Sequence, residues 1–138
     1  MHSILLDTHI FVWLMLGSDK LNQKAINAIE LCAKNEGNLF VSAISIWEIG
    51  MLTQHGRLTM NEPVLQWVNE ALSAPYINLT PISPEIAIES CQLPGDFHGD
   101  PADRMITATS RVFNVPLLTK DERIQNYSKK GFLRCIDL

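Results

Sequence analysis

The sequence has few of the features that mark secreted, zinc-binding or membrane proteins. Its three cysteines stand far apart, with no Cys-x-x-Cys pair and no Cys/His cluster, which argues against a disulfide framework and a structural zinc site. The apolar stretch at residues 4–16 is too short to span a bilayer and is interrupted by Asp7 and His9. No basic residue precedes Lys20, so the charged start of a secretion signal is missing. We therefore expect a soluble cytoplasmic protein with free thiols and no membrane contact.

Several motifs of nucleotide-binding and hydrolytic enzymes are also absent. There is no G-x-G-x-x-G, no G-x-x-x-x-G-K-[ST] and no G-x-S-x-G, which removes the usual dinucleotide, P-loop and serine-hydrolase interpretations. The histidines lack metal-ligand spacing, and His9 beside Asp7 is expected to belong to a helix start. The tryptophans lie at apolar helical positions and are expected in the core: Trp13, Trp47 and Trp67.

Basic residues are outnumbered, with 11 Lys and Arg against 15 Asp and Glu and a formal charge of −4. Taken alone, this charge argues against a nucleic-acid partner. The charge is unevenly spread, however. Residues 1–103 hold 4 basic and 12 acidic residues, a charge of −8, whereas residues 104–134 hold 7 and 2, a charge of +5. The basic segment either receives phosphates or merely solvates helix faces.

Length and composition are those of one ordinary domain, since 138 residues that are 46% hydrophobic and 19% charged suffice for a single core. No repeat or linker divides the chain, so residues 1–138 are expected to form a single domain. Short apolar runs alternate with helical patterns, which predicts an α/β protein whose parallel sheet is covered on both faces. Five strands are expected, at residues 3–6, 39–41, 76–79, 115–118 and 132–136. Helices are expected at residues 8–16, about 21–32, 44 to about 56, 63–72, 83–92 and 101–114.

Acidic residues follow the predicted strands. Asp7 comes directly after the first strand, and Asp121 closely follows the fourth. Glu48 lies in the helix after the second strand, and Asp103 in the first turn of the helix that leads into the fourth. Because ligands bind outside the carboxyl ends of parallel strands, we expect these four side chains to converge at one edge of the sheet.

Most of these acids also have a purely structural explanation. Asp7 and Asp121 are suitable helix caps, and Asp100-Pro-Ala-Asp103 has the arrangement of a capping box. Glu48 is harder to explain in this way, because its helix is apolar nearly all the way round and is expected to bury it. A buried carboxylate is costly unless it is paired or binds a metal.

A metal ion is the favoured partner of these acids. Ser45, one turn before Glu48, can donate only one hydrogen bond, and no Lys or Arg is spaced to pair with Glu48 along the helix. Four acids at one edge repel one another unless a cation is present, and oxygen ligands without His or Cys indicate Mg²⁺ or Mn²⁺. Such a site suits hydrolysis of a phosphodiester by a metal-activated water. The ion would also bind the substrate phosphate, so the net charge of −4 would not prevent the chain from binding a nucleic acid.

Four motifs, in this order, resemble those of PIN-domain ribonucleases. They are Leu-Leu-Asp7-Thr-His, Val-Ser-Ala-Ile-Ser-Ile-Trp-Glu48-Ile, Leu-Pro-Gly-Asp-Phe-His98-Gly-Asp100-Pro-Ala-Asp103-Arg-Met-Ile and Leu-Leu-Thr119-Lys-Asp121. The Trp-Glu and His-x-Asp-Pro-x-Asp-Arg forms are similar to the VapC-type toxins of type II toxin–antitoxin systems. The resemblance runs from about residue 3 to the C-terminus. It implies a three-layer α/β/α sandwich with a central, mainly parallel sheet.

The resemblance also implies an activity, a cofactor and partners. The activity is Mg²⁺- or Mn²⁺-dependent endonucleolytic cleavage of RNA, by a protein that is usually a homodimer and is silenced by a cognate antitoxin. The family's catalytic and metal-binding acids correspond to Asp7, Glu48, Asp103 and Asp121. Asp7 and Asp103 match the principal metal ligands. Supporting positions beside these acids are Asp100, Thr8, Ser45 and Thr119, and the residues expected to contact the RNA backbone are Arg104, Lys120 and Arg123.

Two other functions stay open. In a catalytically inactive PIN-like binding module, the acids would only cap helices. A receiver or phosphatase is less favoured, because a phosphatase would carry Asp-x-Asp after the first strand, where this chain has Asp7-Thr8-His9. The chain departs from the subgroup pattern at Ala102, where a bulky aromatic residue is common, and at Ser110, where Ala is usual. We expect these differences to affect packing or specificity.

Overall fold

The computed structural model describes residues 2–136, which contain four strands and seven helices. The strands are β1 (Ile4–Leu6), β2 (Leu39–Ser42), β3 (Ile77–Thr80) and β4 (Leu117–Leu118). The helices are α1 (Thr8–Leu16), α2 (Gln23–Lys34), α3 (Ala43–Gln54), α4 (Val64–Leu72), α5 (Pro84–Cys91), α6 (Pro101–Phe113) and α7 (Glu122–Lys129). The first four predicted strands and the six predicted helices are therefore present, with small shifts at their ends.

The strands form one sheet in the order β3-β2-β1-β4, and every strand pair in it is parallel. Leu5 of β1 is paired with Phe40 of β2 on one side and with Leu117 of β4 on the other. Because all four strands run in the same direction, their carboxyl ends meet at a single edge of the sheet, where ligands of such folds bind.

Side chains of β1 alternate between two separate cores. Ile4 and Leu6 pack into a cluster that includes residues of α1, α2 and α4, whereas Leu5 packs with Ile106 of α6 and Ile124 of α7. Successive residues of a strand point to opposite faces, so helices cover the sheet on both sides. The expected three-layer α/β/α sandwich is confirmed.

The predicted fifth strand at residues 132–136 is wrong. Within residues 2–136 the sheet has four strands, and this segment contributes only an isolated parallel bridge between Cys135 and Leu117. The amide of Leu117 donates to the carbonyl of Arg134, and its carbonyl accepts from the amide of Ile136, both at 2.9 Å.

Among the described residues, the pairing does not extend back from Leu117 to Val115, because both backbone groups of Val115 bond to Ser110. The Val115 amide donates to the Ser110 carbonyl at 3.2 Å, and the Val115 carbonyl accepts a hydrogen bond of 2.5 Å from Ser110 Oγ. The same contact gives the hydroxyl of Ser110 a structural role.

The surface of α3 also differs from the expectation. Trp47 is 53% exposed and Met51 is 38% exposed, although the tryptophans were expected in the core. Glu48 is half-buried rather than buried, and Ser45 and Ile49 are the buried residues of this helix. A helix that is apolar on all sides carries no pattern that shows which side faces the core.

Two further properties bear on the sequence predictions. None of the helices in the described part of the chain is both long and apolar enough to cross a membrane. Cys32, Cys91 and Cys135 carry free thiols.

Candidate active site

A pocket of about 350 Å³ lies at the edge of the sheet where the strands end. Its lining residues are Asp7, His9, Trp13, Glu48, Asp100, Asp103, Lys120, Asp121 and Arg123. The four acids that the sequence places at strand ends therefore line the same pocket, together with a fifth carboxylate and two cationic side chains. A larger cavity of about 840 Å³ opens near the amino ends of β1 and β2, but its walls contain no acidic residue.

Asp7 connects the end of β1 to the start of α1. Its carboxylate accepts hydrogen bonds from the Thr8 amide at 2.8 Å and from the Thr119 hydroxyl at 2.5 Å. Burial raises the pKa of Asp7 to about 6, and the nearby charges of Asp103 and Glu48 add to that rise, whereas the two hydrogen bonds oppose it. An added cation would relieve this unfavourable buried charge.

Asp103 lies in the first turn of α6, which Asp100 caps by accepting the Asp103 amide at 3.0 Å. Oδ2 of Asp103 is 2.7 Å from His98 Nε2 and 3.4 Å from Arg123 Nη2. Burial raises the pKa of Asp103, the hydrogen bond from His98 opposes this, and the charges of Asp100 and Asp121 raise it further. The side chain is thus held by two groups that can carry positive charge.

Asp121 follows β4 and caps α7. One oxygen accepts the amides of Arg123 and Ile124 at 2.8 and 3.2 Å, and the other lies 3.4 Å from Arg123 Nη2. Burial acts to raise the pKa of Asp121, but hydrogen bonds from the Ile124 amide and from Arg123 outweigh it, so the pKa is lowered. The capping role foreseen for Asp121 is present, and it leaves the second oxygen facing the pocket side chains.

Glu48 reaches the pocket from α3. Burial raises its pKa, the hydroxyl of Thr8 opposes the rise, and the charge of Asp103 adds to it. The hydroxyls of Thr8 and Ser45 are 2.8 Å apart and both are buried. This pair connects α1, which Asp7 caps, to α3, which carries Glu48.

Helix starts partly balance the carboxylates. Asp7, Asp100 and Asp121 are the N-caps of α1, α6 and α7, so three helices begin at this pocket. The start of a helix carries a partial positive charge, which stabilises a nearby anion. Helix capping and a shared acidic pocket are therefore not alternatives here, because the same three side chains cap helices and line the pocket.

The three predicted RNA-contacting residues are not placed alike. Lys120 and Arg123 line the pocket and are exposed. Arg104 does not line it, because its guanidinium donates to the backbone carbonyls of Ser90, Phe97 and His98 at 2.8, 3.0 and 3.2 Å.

Two residues that line the pocket, and one that contacts a lining residue, were not predicted as part of the site. His98 belongs to the motif that carries the resemblance, but its lack of metal-ligand spacing gave no reason to select it. His9 was noted only for its position beside Asp7, and Trp13 was assigned to the core. Both line the pocket, with their rings 5.9 Å apart.

The donor chemistry fits a divalent cation that prefers oxygen. Five carboxylates against two cationic side chains leave the pocket lining negatively charged, and carboxylate oxygens suit Mg²⁺ or Mn²⁺. As the side chains stand, no three His, Cys, Asp or Glu residues among those described form a ready-made ligand group. Binding would therefore require movement of one or more of these side chains, or water molecules between the ion and the carboxylates.

The chain is similar to proteins of one family over most of its length. Residues 4–130 match the sequence profile of the PIN domain. Ribonuclease VapC22 of Mycobacterium tuberculosis (strain ATCC 25618 / H37Rv) is 35% identical over 127 residues, which are 92% of this chain and 93% of that protein.

Solved structures of toxin–antitoxin complexes have a similar fold. VapBC2 from Rickettsia felis, bound to a DNA fragment from its promoter, matches with a TM-score of 0.68 and 20% identity over 96% of both chains. A toxin–antitoxin complex from Klebsiella pneumoniae matches with a TM-score of 0.60 and 25% identity over 86% of this chain and 87% of that one.

Proposed function

The chain belongs to the PIN-domain family, and we propose that it is a divalent-metal-dependent endoribonuclease. The observation that carries the proposal is the convergence of Asp7, Glu48, Asp103 and Asp121 on one pocket that also exposes Lys120 and Arg123. This arrangement combines ligands for a cation with positive charge for a phosphate backbone.

Asp7 and Asp103 are the residues that would hold Mg²⁺ or Mn²⁺, directly or through water. When bound, such an ion activates a water molecule and stabilises the leaving oxygen of a phosphodiester. Thr119 and Asp100 fix the two ligands, the first by its hydrogen bond to Asp7 and the second by capping the helix of Asp103. Glu48 and Asp121 would complete the site by binding a second ion or orienting the attacking water.

Lys120 and Arg123 would contact the RNA backbone. Both are exposed, and Arg123 lies within 3.4 Å of two acids, which places its charge where a phosphate would approach the ligands. Arg104 is left out of this role, because its donors are used by backbone carbonyls.

We further propose that the protein is the toxin of a toxin–antitoxin module. A relative with 35% identity is named a VapC ribonuclease, and the solved structures of similar fold are toxin–antitoxin complexes. The expected partners are an RNA substrate, a cognate antitoxin and a second copy of the chain. The free thiols agree with the cytoplasmic location expected from the sequence.

The second candidate is a catalytically inactive binding module. Asp7, Asp100 and Asp121 do cap helices, and Arg123 lies 3.4 Å from both Asp103 and Asp121, where it would serve as their permanent counter-charge. In such a module the acids would need no metal ion for stability.

Mapping of RNA ends in cells distinguishes the two candidates. Cells that express the wild type should contain new RNA ends at defined positions, and cells that express folded Asp7→Asn should lack them. The inactive module predicts no new ends with either protein and a melting temperature that Mn²⁺ and EDTA do not change.

A further inference from the structure

The carboxylate of Asp103 is held from one side only. His98 Nε2 lies 2.7 Å and Arg123 Nη2 lies 3.4 Å from the same oxygen, Oδ2. Oδ1 accepts no hydrogen bond from the described residues. The two contacts therefore fix the rotation of the carboxylate and leave Oδ1 available to a ligand.

The two contacts of Asp103 differ in how much the contacting side chain is constrained by its surroundings. The side chain of Arg123 is 61% exposed, whereas that of His98 is 19% exposed. The His98 ring stacks on Phe97, with centroids 4.3 Å apart and planes inclined by 24°. Phe97 in turn packs edge-on against Tyr127 of α7 at 4.8 Å. His98 is thus the fixed contact of Asp103, and Arg123 is the one that can move.

The segment that carries His98 is anchored on two sides. On one side, Arg104, the residue after Asp103 on α6, donates to the carbonyls of Phe97 and His98 at 3.0 and 3.2 Å. On the other side, the hydroxyl of Tyr127 donates to the carbonyl of Pro94 at 2.6 Å. Arg104 and Tyr127 therefore hold residues 94–98 against α6 and α7, and the imidazole reaches Asp103 from a fixed position.

We propose that His98 is a positioning residue for Asp103. Its ring nitrogen holds Oδ2 so that Oδ1 is presented to the divalent cation, and the anchoring by Arg104 and Tyr127 keeps the ring in place. The proposal rests on the proposed metal site. Hydrogen bonds that orient a metal-binding side chain typically contribute about 10- to 100-fold to metal affinity.

The test is Mn²⁺ affinity measured by calorimetry without RNA, at pH 8. His98→Leu removes the donor, whereas His98→Gln places an amide nitrogen at about the reach of Nε2. We expect His98→Leu to bind Mn²⁺ about 10-fold more weakly than the wild type, and His98→Gln to recover most of that loss. The matched control is His55→Leu, which changes an exposed histidine at the end of α3, outside the pocket.

Phe97→Leu is a second test in case His98→Leu does not fold. It keeps the imidazole but removes the ring on which it stacks, so a loss of Mn²⁺ affinity is expected that is smaller than that of His98→Leu. Wild-type affinity in both His98→Leu and Phe97→Leu would overturn the inference. So would an equal loss in His98→Leu and His98→Gln, because the loss would then not depend on the donor.

One further variant separates this inference from the proposed function. Asp103→Asn removes a proposed ligand and should bind Mn²⁺ more weakly than every variant above. If the wild type binds no Mn²⁺, or if Asp103→Asn binds as tightly as the wild type, the proposed metal site itself is wrong. If Asp103→Asn loses affinity and His98→Leu does not, only the positioning role fails.

Discussion

The hydroxyl of Thr119 donates a 2.5 Å hydrogen bond to Asp7 Oδ2 and so connects the ends of β4 and β1 beneath the pocket. The same hydroxyl accepts the Asp121 amide at 3.0 Å. The buried side chain of Thr119 therefore fixes the positions of Asp7 and Asp121 relative to each other. It also lowers the pKa of Asp7, against the larger effect of burial.

Replacement of this hydroxyl should make Asp7 harder to ionise. In Thr119→Val the buried carboxylate loses a donor, so the pKa of Asp7 should rise above the wild-type value of about 6. Thr119→Ser keeps the donor and is the matched control. The measurement is an NMR titration of the Asp7 carboxyl carbon in EDTA. An unchanged pKa in Thr119→Val would show that the hydrogen bond does not stabilise the ionised form.

Removal of the Asp7 charge should stabilise the metal-free protein at neutral pH. The pKa of Asp7 in the folded chain, about 6, lies above its ordinary value of 3.8, so folding favours the protonated form. This contribution is complete below about pH 4 and is lost as the pH rises through about 6. In EDTA at pH 8, Asp7→Asn should therefore be more stable than the wild type by up to about 3 kcal/mol.

Urea unfolding between pH 4 and pH 8 measures this difference. The advantage of Asp7→Asn should shrink steadily as the pH falls from 8 to 4. If the variant were less stable than the wild type at pH 8, or if the difference did not depend on pH, burial would not disfavour the charged form of Asp7.

Arg104 should matter for stability rather than for RNA affinity. Arg104→Met leaves three backbone carbonyls without their donor, which should cost about 3 kcal/mol of unfolding free energy. Arg123→Met is the matched control, since this side chain is 61% exposed and solvent weakens exposed ion pairs. Denaturant unfolding of the two variants gives the comparison, and equal losses would argue against the anchoring role of Arg104.

Lys120 should contribute to RNA affinity through charge. In the cleavage-impaired Asp7→Asn background, Lys120→Met should weaken binding of a single-stranded RNA and reduce the salt dependence by about 0.7 in log–log slope, the value for one phosphate contact. Lys129→Met removes the same charge from the end of α7, outside the pocket. Equal effects of the two variants would mean that net charge, and not the pocket, attracts the RNA.

The acidic site was predictable because the carboxyl ends of parallel strands lie at one edge of a sheet, so residues that follow different strands lie close together. Parallel strands bring their ends together, so Asp7 and Asp121 had to lie near each other once the strands were identified. Glu48 and Asp103 followed from their helices, which begin at the same edge. The supporting positions Thr8 and Thr119 came from the resemblance, and in the structure their hydroxyls donate hydrogen bonds to Ser45 and Asp7.

Features that depend on tertiary contacts were not predictable. The basic residue Arg104 follows a proposed ligand, and only the path of residues 94–98 shows that backbone carbonyls use its charge. Trp47 lies on a helix that is apolar all round, so the sequence could not show that it faces outward. The end of the pairing on the Val115 side of Leu117 depends on the hydrogen bonds between Ser110 and Val115.

The most direct test of the account is RNA cleavage by the purified protein with controlled divalent cation. The wild type should cleave RNA in Mg²⁺ or Mn²⁺, stop in excess EDTA and resume when Mn²⁺ is restored. Asp7→Asn and Asp103→Asn should each be at least about 100-fold slower, the scale expected when a site loses a metal ligand, while Lys129→Met should stay close to the wild type. Cleavage that continues in EDTA, or full activity of Asp7→Asn in a preparation free of other nucleases, would contradict the metal-dependent carboxylate site.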